Sequence, residues 1–437
     1  MKQSAQVYPP DRRAPKERHV ILYFQVHQPR RLRKLGFLDI GNNGDYFDEQ
    51  LNKDIISRVS QNCYLPVNAQ LRKLVERFSQ IRLCFSLSGV LVDQLEKYSP
   101  ATLQSFKDLT GTGSVELLSE TYYHSLSSLT PNEEFIIQVQ AHRQLMEQHF
   151  GIHPEVFRNT ELIYSNSIGS KVAQLGFKGI LCDGIGRTLE GRSPYQLYKH
   201  PGQERFDILL RSNRLSDDIA FRFNNDQNKF TAEEFCKWIY DVPGPRSAEA
   251  GYAEATDESV VTLGMDYETF GEHFKASTGI IAFLEKLITQ LATDKVANLT
   301  APSQLFRSLS PREKLDIHDF VSWADESKDI SAWLGNDIQC DAFKTLQSLE
   351  ESILKTHNAA MIETWRNLQT SDHFYYMCTK GAGDGNIHSY FSHYGSPYEA
   401  FINYMNTLTD LSLRARTPVQ RVAPSVSLAA PQDVLPG

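Results

Sequence analysis

Seven short apolar runs punctuate the first two-thirds of the chain: His19–Val26, Ile81–Leu87, Val115–Leu118, Val156–Arg158, Gly179–Asp183, Asp207–Arg211 and Val260–Met265. They are near-continuous rather than alternating, the pattern of strands buried on both faces of a parallel sheet. Between them the spacing changes to a helical period. Leu71, Leu74, Val75 and Phe78 recur at i, i+3, i+4 and i+7. Glu133 to Phe150 is amphipathic and follows Thr130-Pro131, read here as a helix start. Ser165 to Leu175 and Thr231 to Tyr240 are further helices.

Strands alternating with helices predict βα units and a parallel sheet. Seven strands in ~250 residues fit a closed or nearly closed barrel, with an open doubly wound sheet as the alternative. From Ile280 onward strand-like runs nearly vanish, and Ile280–Leu291, Ala342–Thr370 and Tyr398–Ala415 read as helices. The predicted organisation is an α/β catalytic domain over 18–280 and a helical domain over 281–416. Polar, proline-containing segments at 1–17 and 417–437 are read as disordered.

The 437 residues include 41% hydrophobic and 22% charged positions, as in ordinary globular proteins. A net charge of −8 argues against a nucleic-acid partner, which needs clustered Lys and Arg. No apolar run approaches the ~18–20 residues of a membrane helix, and the N-terminus lacks a secretory apolar core. Six scattered cysteines form no CxxC pair, which disfavours structural zinc and dithiol chemistry. A cytoplasmic location follows.

In parallel barrels the chemistry gathers at the C-terminal ends of strands. The first run is followed by His27-Gln28-Pro29, and the third by Ser119-Glu120-Thr121-Tyr122-Tyr123-His124. The fourth is followed by Asn159-Thr160-Glu161, and the seventh by Asp266-Tyr267-Glu268-Thr269-Phe270-Gly271-Glu272-His273. Singly, each has a structural explanation. Glu161 suits a helix start, Asp266 and Asp325 suit caps, Glu116 suits barrel lining, and Trp333 suits a core. Jointly, carboxylates crowded at strand ends repel one another, and such crowding is more often functional than stabilising. Paired carboxylates across a bond are what glycoside hydrolysis requires. Tyr122, Tyr123, Tyr267, Phe270 and Trp333 suit stacking against sugars.

These residues resemble glycoside hydrolase family 57, in its α-amylase branch. Five short regions carry the resemblance: His27–Pro29, Gly113–His124, Phe157–Tyr164, Leu263–His273, and Ser322–Asp325 with Ala332–Asn336. His373 to Lys380 also looks familiar for that branch. The resemblance implies an incomplete (β/α)7 barrel followed by a C-terminal helical bundle, retention of anomeric configuration, and an α-1,4-glucan or maltooligosaccharide substrate. It implies Glu161 as nucleophile and Asp266 as general acid/base. It places His27, Glu116, His124, Glu268, His273, Asp325 and Trp333 around the substrate, with no metal and no cofactor. Hydrolysis and 4-α-glucan transfer would share these residues, and a non-catalytic glucan-binding protein would keep the same cleft. A metal-dependent deacetylase or mannosidase recruiting His27, His124, Asp266 and His273 is a further alternative. Oligomeric state is left open.

Overall fold

The computed structural model describes residues 17–42, 44–223, 229–243, 258–294, 296–311, 313–380 and 391–416. The segments 1–16 and 417–437, expected to be disordered, lie outside the described residues. Glu17, grouped with the first of them, instead begins a strand.

Among the described residues ten strands form one sheet: β1 Glu17–Val26, β2 Leu83–Leu87, β3 Val115–Leu117, β4 Val156–Arg158, β5 Gly179–Asp183, β6 Leu197–Lys199, β7 Asp207–Arg211, β8 Glu258–Asp266, β9 Ala297–Leu299 and β10 Glu313–Lys314. Seven of them are the seven apolar runs. Parallel pairings join β3–β2–β1–β8–β7–β5–β4, and a parallel bridge between Ser119 and Phe157 connects the end of β3 to β4. The pairings thus return on themselves. Two joints are thin: that single bridge, and the β7–β8 pairing at Arg211 and Thr262. Beside β7, antiparallel β6 takes the first half of the strand and β10 pairs with β6, while β9 pairs with the start of β1.

Strand alternation sorts the side chains into two sets. Outward, Val20, Leu22, Phe24 and Val26 of β1 join Leu83, Phe85, Val261 and Leu263 under the helices. On the other side, Phe157, Ile180, Cys182, Ile208 and Leu210 pack with the C-terminal helices. Inward, Ile21, Tyr23, Cys84, Val156, Leu181, Leu209 and Val260 fill the space between strands. Helix Pro302–Ser308 plugs the bottom of that space with Leu305 and Phe306. Phe306 lies so close to Gly179 that a Cβ there would meet its ring at 2.5 Å, which explains a glycine at the first position of β5. The expected boundary at 280/281 therefore falls ahead of elements that still belong to the sheet.

Helix limits differ where capping chemistry was misread. Thr130-Pro131 does not start the helix: Thr130 Oγ1 turns back to the Ser127 carbonyl, and the helix runs Glu134–Phe150. The stretch 342–370 is not one helix but Asp337–Ser348, Glu350–Lys355 and Ala359–Asn367. Asn336 and Asn358 cap the first and last of these through their side chains. No described helix is long and apolar enough to cross a membrane.

Candidate active site

The alternation that fills the lower space between the strands with apolar groups presents polar ones at the upper end. Gln25, Arg158, Arg211 and Asp266 are the last inward residues of β1, β4, β7 and β8, and Gln25 pairs in register with Asp266. Glu120, just beyond β3, is fully buried, as are Gln25, Arg158 and Arg211, while Asp266 is partly exposed. Asp266 precedes a short 3-10 turn, Tyr267–Thr269, but its side chain makes no capping hydrogen bond. The capping explanation of Asp266 therefore fails.

Glu161 stands on a strained turn after β4. Its φ is +56° and that of Leu162 is +51°, a left-handed conformation that costs non-glycine residues about 1–3 kcal/mol each. Asn159 holds the turn, donating through Nδ2 to Ser128 Oγ at 2.9 Å and to the Ile163 carbonyl at 2.8 Å. The turn aims the Glu161 carboxylate at three donors. His124 Nε2 lies 3.1 Å from Oε1, Trp323 Nε1 donates to Oε2 at 2.7 Å, and Ser371 Oγ reaches Oε1 at 3.5 Å. Two guanidinium groups lie over the Trp323 ring, Arg158 at 5.1 Å and Arg211 at 5.3 Å from the ring centroid.

His124 bridges two carboxylates. Its Nδ1 donates to Glu120 Oε2 at 2.7 Å, while Nε2 faces Glu161. Burial opposes its charge, but the Glu120 carboxylate prevails and raises His124 to about 9. It is an imidazolium at neutral pH, and His27 stacks on it with ring centroids 4.0 Å apart. Burial and the charge of His124 hold His27 below its usual range. Neutral His27 accepts from Ser88 Oγ at 2.7 Å on Nδ1 and donates to Asp372 Oδ2 at 3.0 Å on Nε2.

The two expected catalytic acids are driven in opposite directions. Glu161 is held below the ordinary carboxylate range: burial would raise it, but the hydrogen bond and charge of His124 outweigh burial. Asp266 is raised to about 7, by burial and then by the Glu161 charge. Glu268, two residues on, is raised to about 8 by burial and by Asp266, and accepts hydrogen bonds from Tyr64 and from Gln28. One ionised carboxylate beside a protonatable one is the arrangement that separates nucleophile from acid in a shared site.

The structure brings Glu161, Asp266, His27, His124 and Glu268 together. Asp325, with φ +47°, pairs with Lys380 nearby, and its charge reaches Tyr375, which also feels Glu161 and Asp266. His273 is held neutral by burial, at about 4, and packs edge-on to Phe391. Two expectations need correcting. Glu116 is not in this cluster: its carboxylate accepts from the Ser303 amide at 3.1 and 3.2 Å, at the first turn of the plug helix near the N-terminal ends of the strands. Trp333 is buried among the C-terminal helices against Tyr375, whereas Trp323 of the same sequence region is the tryptophan on Glu161. Glu116→Gln is accordingly expected to leave kcat within about twofold of wild type, because it touches only a helix start. Steady-state assays beside a thermal melt check this.

Sequence reasoning missed Glu120, Arg158, Asp372 and Ser371 as site members. Glu120 and Arg158 were legible from strand parity. Asp372 meets His27 across 345 residues, and no local pattern signals that contact. Among the described residues, His27, His124, Asp266 and His273 are not part of a group of three or more potential ligands whose atoms lie within 4.8 Å of one another. Among the described residues the group whose ligand atoms converge within 4.8 Å is Glu17, His19 and Glu258, at the opposite end of β1 and β8.

Residues 21–318 match the model of the family described as glycosyl hydrolase family 57. The chain belongs to glycosyl hydrolase family 57. A relative from Methanocaldococcus jannaschii is 39% identical over 406 residues, covering 89% of this chain and 82% of its own length; its given name, alpha-amylase, is provisional. Two solved structures share the fold of this family member. A family 57 branching enzyme from Thermococcus kodakaraensis aligns with a TM-score of 0.65 at 14% identity, over 86% of this chain and 87% of that one. A 4-alpha-glucanotransferase from Thermococcus litoralis aligns with a TM-score of 0.55 at 15% identity, over 83% of this chain but only 52% of that one. The chain thus spans about half the length of the transferase. Family membership makes this protein a glycoside hydrolase.

Proposed function

We propose that this family 57 enzyme cleaves α-1,4-glucans with retention of configuration, through a covalent glycosyl-enzyme on Glu161. In this reading the returning strand pairings are the incomplete (β/α)7 barrel, the helices from Ser331 onward are the bundle that completes the cleft, and the enzyme works in the cytoplasm. The observation that carries the mechanism is the opposite polarisation of Glu161 and Asp266. Glu161 is ionised, partly exposed and fixed by His124 and Trp323. It attacks the anomeric carbon as the glycosidic C–O bond breaks, and Asp266 gives its proton to the departing oxygen. Asp266, now a carboxylate, takes a proton from water or a sugar hydroxyl. That oxygen attacks the anomeric carbon and the ester to Glu161 breaks. Retention by this route requires carboxyl groups about 5–5.5 Å apart.

The shifts set the pH dependence. The acid must be protonated, so kcat/KM falls as pH rises through about 7, where Asp266 loses its proton. The nucleophile must be ionised, so the acidic limb lies below the ordinary range of a glutamate. A bell-shaped profile of kcat/KM on a maltooligosaccharide is expected, with its basic limb near 7. A rate still climbing at pH 9 would remove Asp266 from the acid role.

The test of the reading is an early proton NMR spectrum of the products from maltotetraose. The α-anomer appearing first supports retention, and the β-anomer first contradicts it. Chromatography of the same mixture separates two activities that share every residue. Only shorter chains mean hydrolysis, and chains longer than maltotetraose mean glucan transfer.

A further inference from the structure

A second cleft opens on the rim of the barrel, between the loop after β3 and helix Ala359–Asn367. It has a volume of about 520 Å³, within the range of small-molecule sites, and Asp93, Tyr122, Tyr123, Ile362, Glu363 and Arg366 line it. The tyrosine rings are 4.8 Å apart at a 46° tilt. Tyr122 is fixed from both ends. Its hydroxyl donates to Asp93 at 2.8 Å, and its ring lies over Gly89, where a Cβ would meet it at 2.6 Å. That close approach explains a glycine at the start of helix Gly89–Tyr98.

The two guanidinium groups around this cleft are already ion-paired. Glu363 faces Arg30 at 3.6 Å, Arg366 donates to the buried Glu134 at 2.8 and 3.2 Å, and Asp93 holds the Tyr122 hydroxyl. With Arg30 and Arg366 already ion-paired, the cleft suits a neutral, hydrogen-bonding ligand better than an anion. Two aromatic faces beside carboxylate and guanidinium edges suit a polyhydroxylated one: the apolar C–H faces of a sugar ring pack on tyrosine, and its hydroxyls bond the charged rim.

The cleft is also tethered to the catalytic cluster through all its walls. Tyr123 precedes His124, which contacts Glu161. Gly89 follows Ser88, which bonds His27. Helix Ala359–Asn367 leads directly into Ser371 and Asp372, which reach Glu161 and His27. We propose that this cleft is a remote subsite that binds glucosyl units of an extended α-glucan chain whose scissile bond lies at Glu161 and Asp266. The inference rests on the reading of the preceding subsection and adds a chain-length preference to it.

The test compares kcat/KM for maltoheptaose with that for maltotriose in wild type, Tyr123→Ala and Glu363→Ala. Loss of one aromatic contact should lower the maltoheptaose-to-maltotriose ratio by roughly three- to tenfold. Glu363 is more than half exposed, so its variant serves if Tyr123→Ala does not fold. An unchanged ratio in both variants overturns the subsite. Calorimetric binding of maltoheptaose reads the cleft independently of turnover. If wild type binds without cleaving and the variants bind severalfold more weakly, the subsite stands and the catalytic reading fails. Equal binding by all three proteins, or no binding by a wild type that still cleaves, overturns the subsite alone, and neither binding nor cleavage by wild type overturns both.

Discussion

Replacing Glu161 with Gln is expected to lower kcat on every cleavable glucan by roughly four to six orders of magnitude, the range seen when a nucleophile is removed from a concerted site. The substitution keeps the size of the side chain and removes its charge. It also breaks the local bonding. Glu161 accepts from His124 on one oxygen and from Trp323 on the other. A glutamine has one acceptor oxygen, so its amide nitrogen would face one of two N–H donors. The imidazolium of His124 would also lose a carboxylate that helps keep it charged. Steady-state kinetics with maltotetraose measures the loss, and a circular dichroism spectrum matched to wild type excludes unfolding as its cause. Near-normal turnover by Glu161→Gln would remove this residue from the reaction.

Asp266→Asn is expected to show a loss that depends on the leaving group. General acid catalysis contributes roughly 10²–10⁴-fold, and an unactivated glucan needs all of it because its departing alkoxide is a poor leaving group. A glucosyl fluoride or nitrophenyl glycoside departs without protonation and should lose far less in the first step. The second step still needs a base, so the intermediate should accumulate and the reaction should show a burst. The basic limb near pH 7 should vanish, since the group whose deprotonation causes it is gone. Equal losses on activated and unactivated substrates, with the limb retained, would assign the acid to another group. Glu268, raised to about 8 beside Asp266, would be the next to examine.

The seven strands of the returning pairings were legible because burial on both faces writes a continuous apolar run. The strands β6, β9 and β10, which add to the sides of this set, were not. The candidate site was legible where strand parity reaches the C-terminal end: Glu161, Asp266 and His124 follow runs that any reader would mark. Glu116 misled because it shares an inward face with its neighbours. Its place at the middle of β3 puts it against the plug helix, whereas Glu120, four residues on, reaches His124. Trp333 misled for a related reason. Two tryptophans fall in one sequence region, and only the fold shows that Trp323 is carried to Glu161 by the Tyr164–Val321 bridge just before it. Contacts such as His27 with Asp372 depend on how the C-terminal helices return over the sheet, and no spacing along the chain encodes them.

The central claim is that Glu161 carries the covalent intermediate. Its most direct measurement is trapping with a fluorinated α-glucosyl fluoride, which forms the ester normally but slows its breakdown, followed by proteolysis and tandem mass spectrometry. The account predicts one glycosyl adduct per chain, on the carboxylate of Glu161, accumulating further in Asp266→Asn. An adduct on Asp266, Glu268 or Glu120, or turnover of the reagent to an inverted product with no adduct, would contradict it.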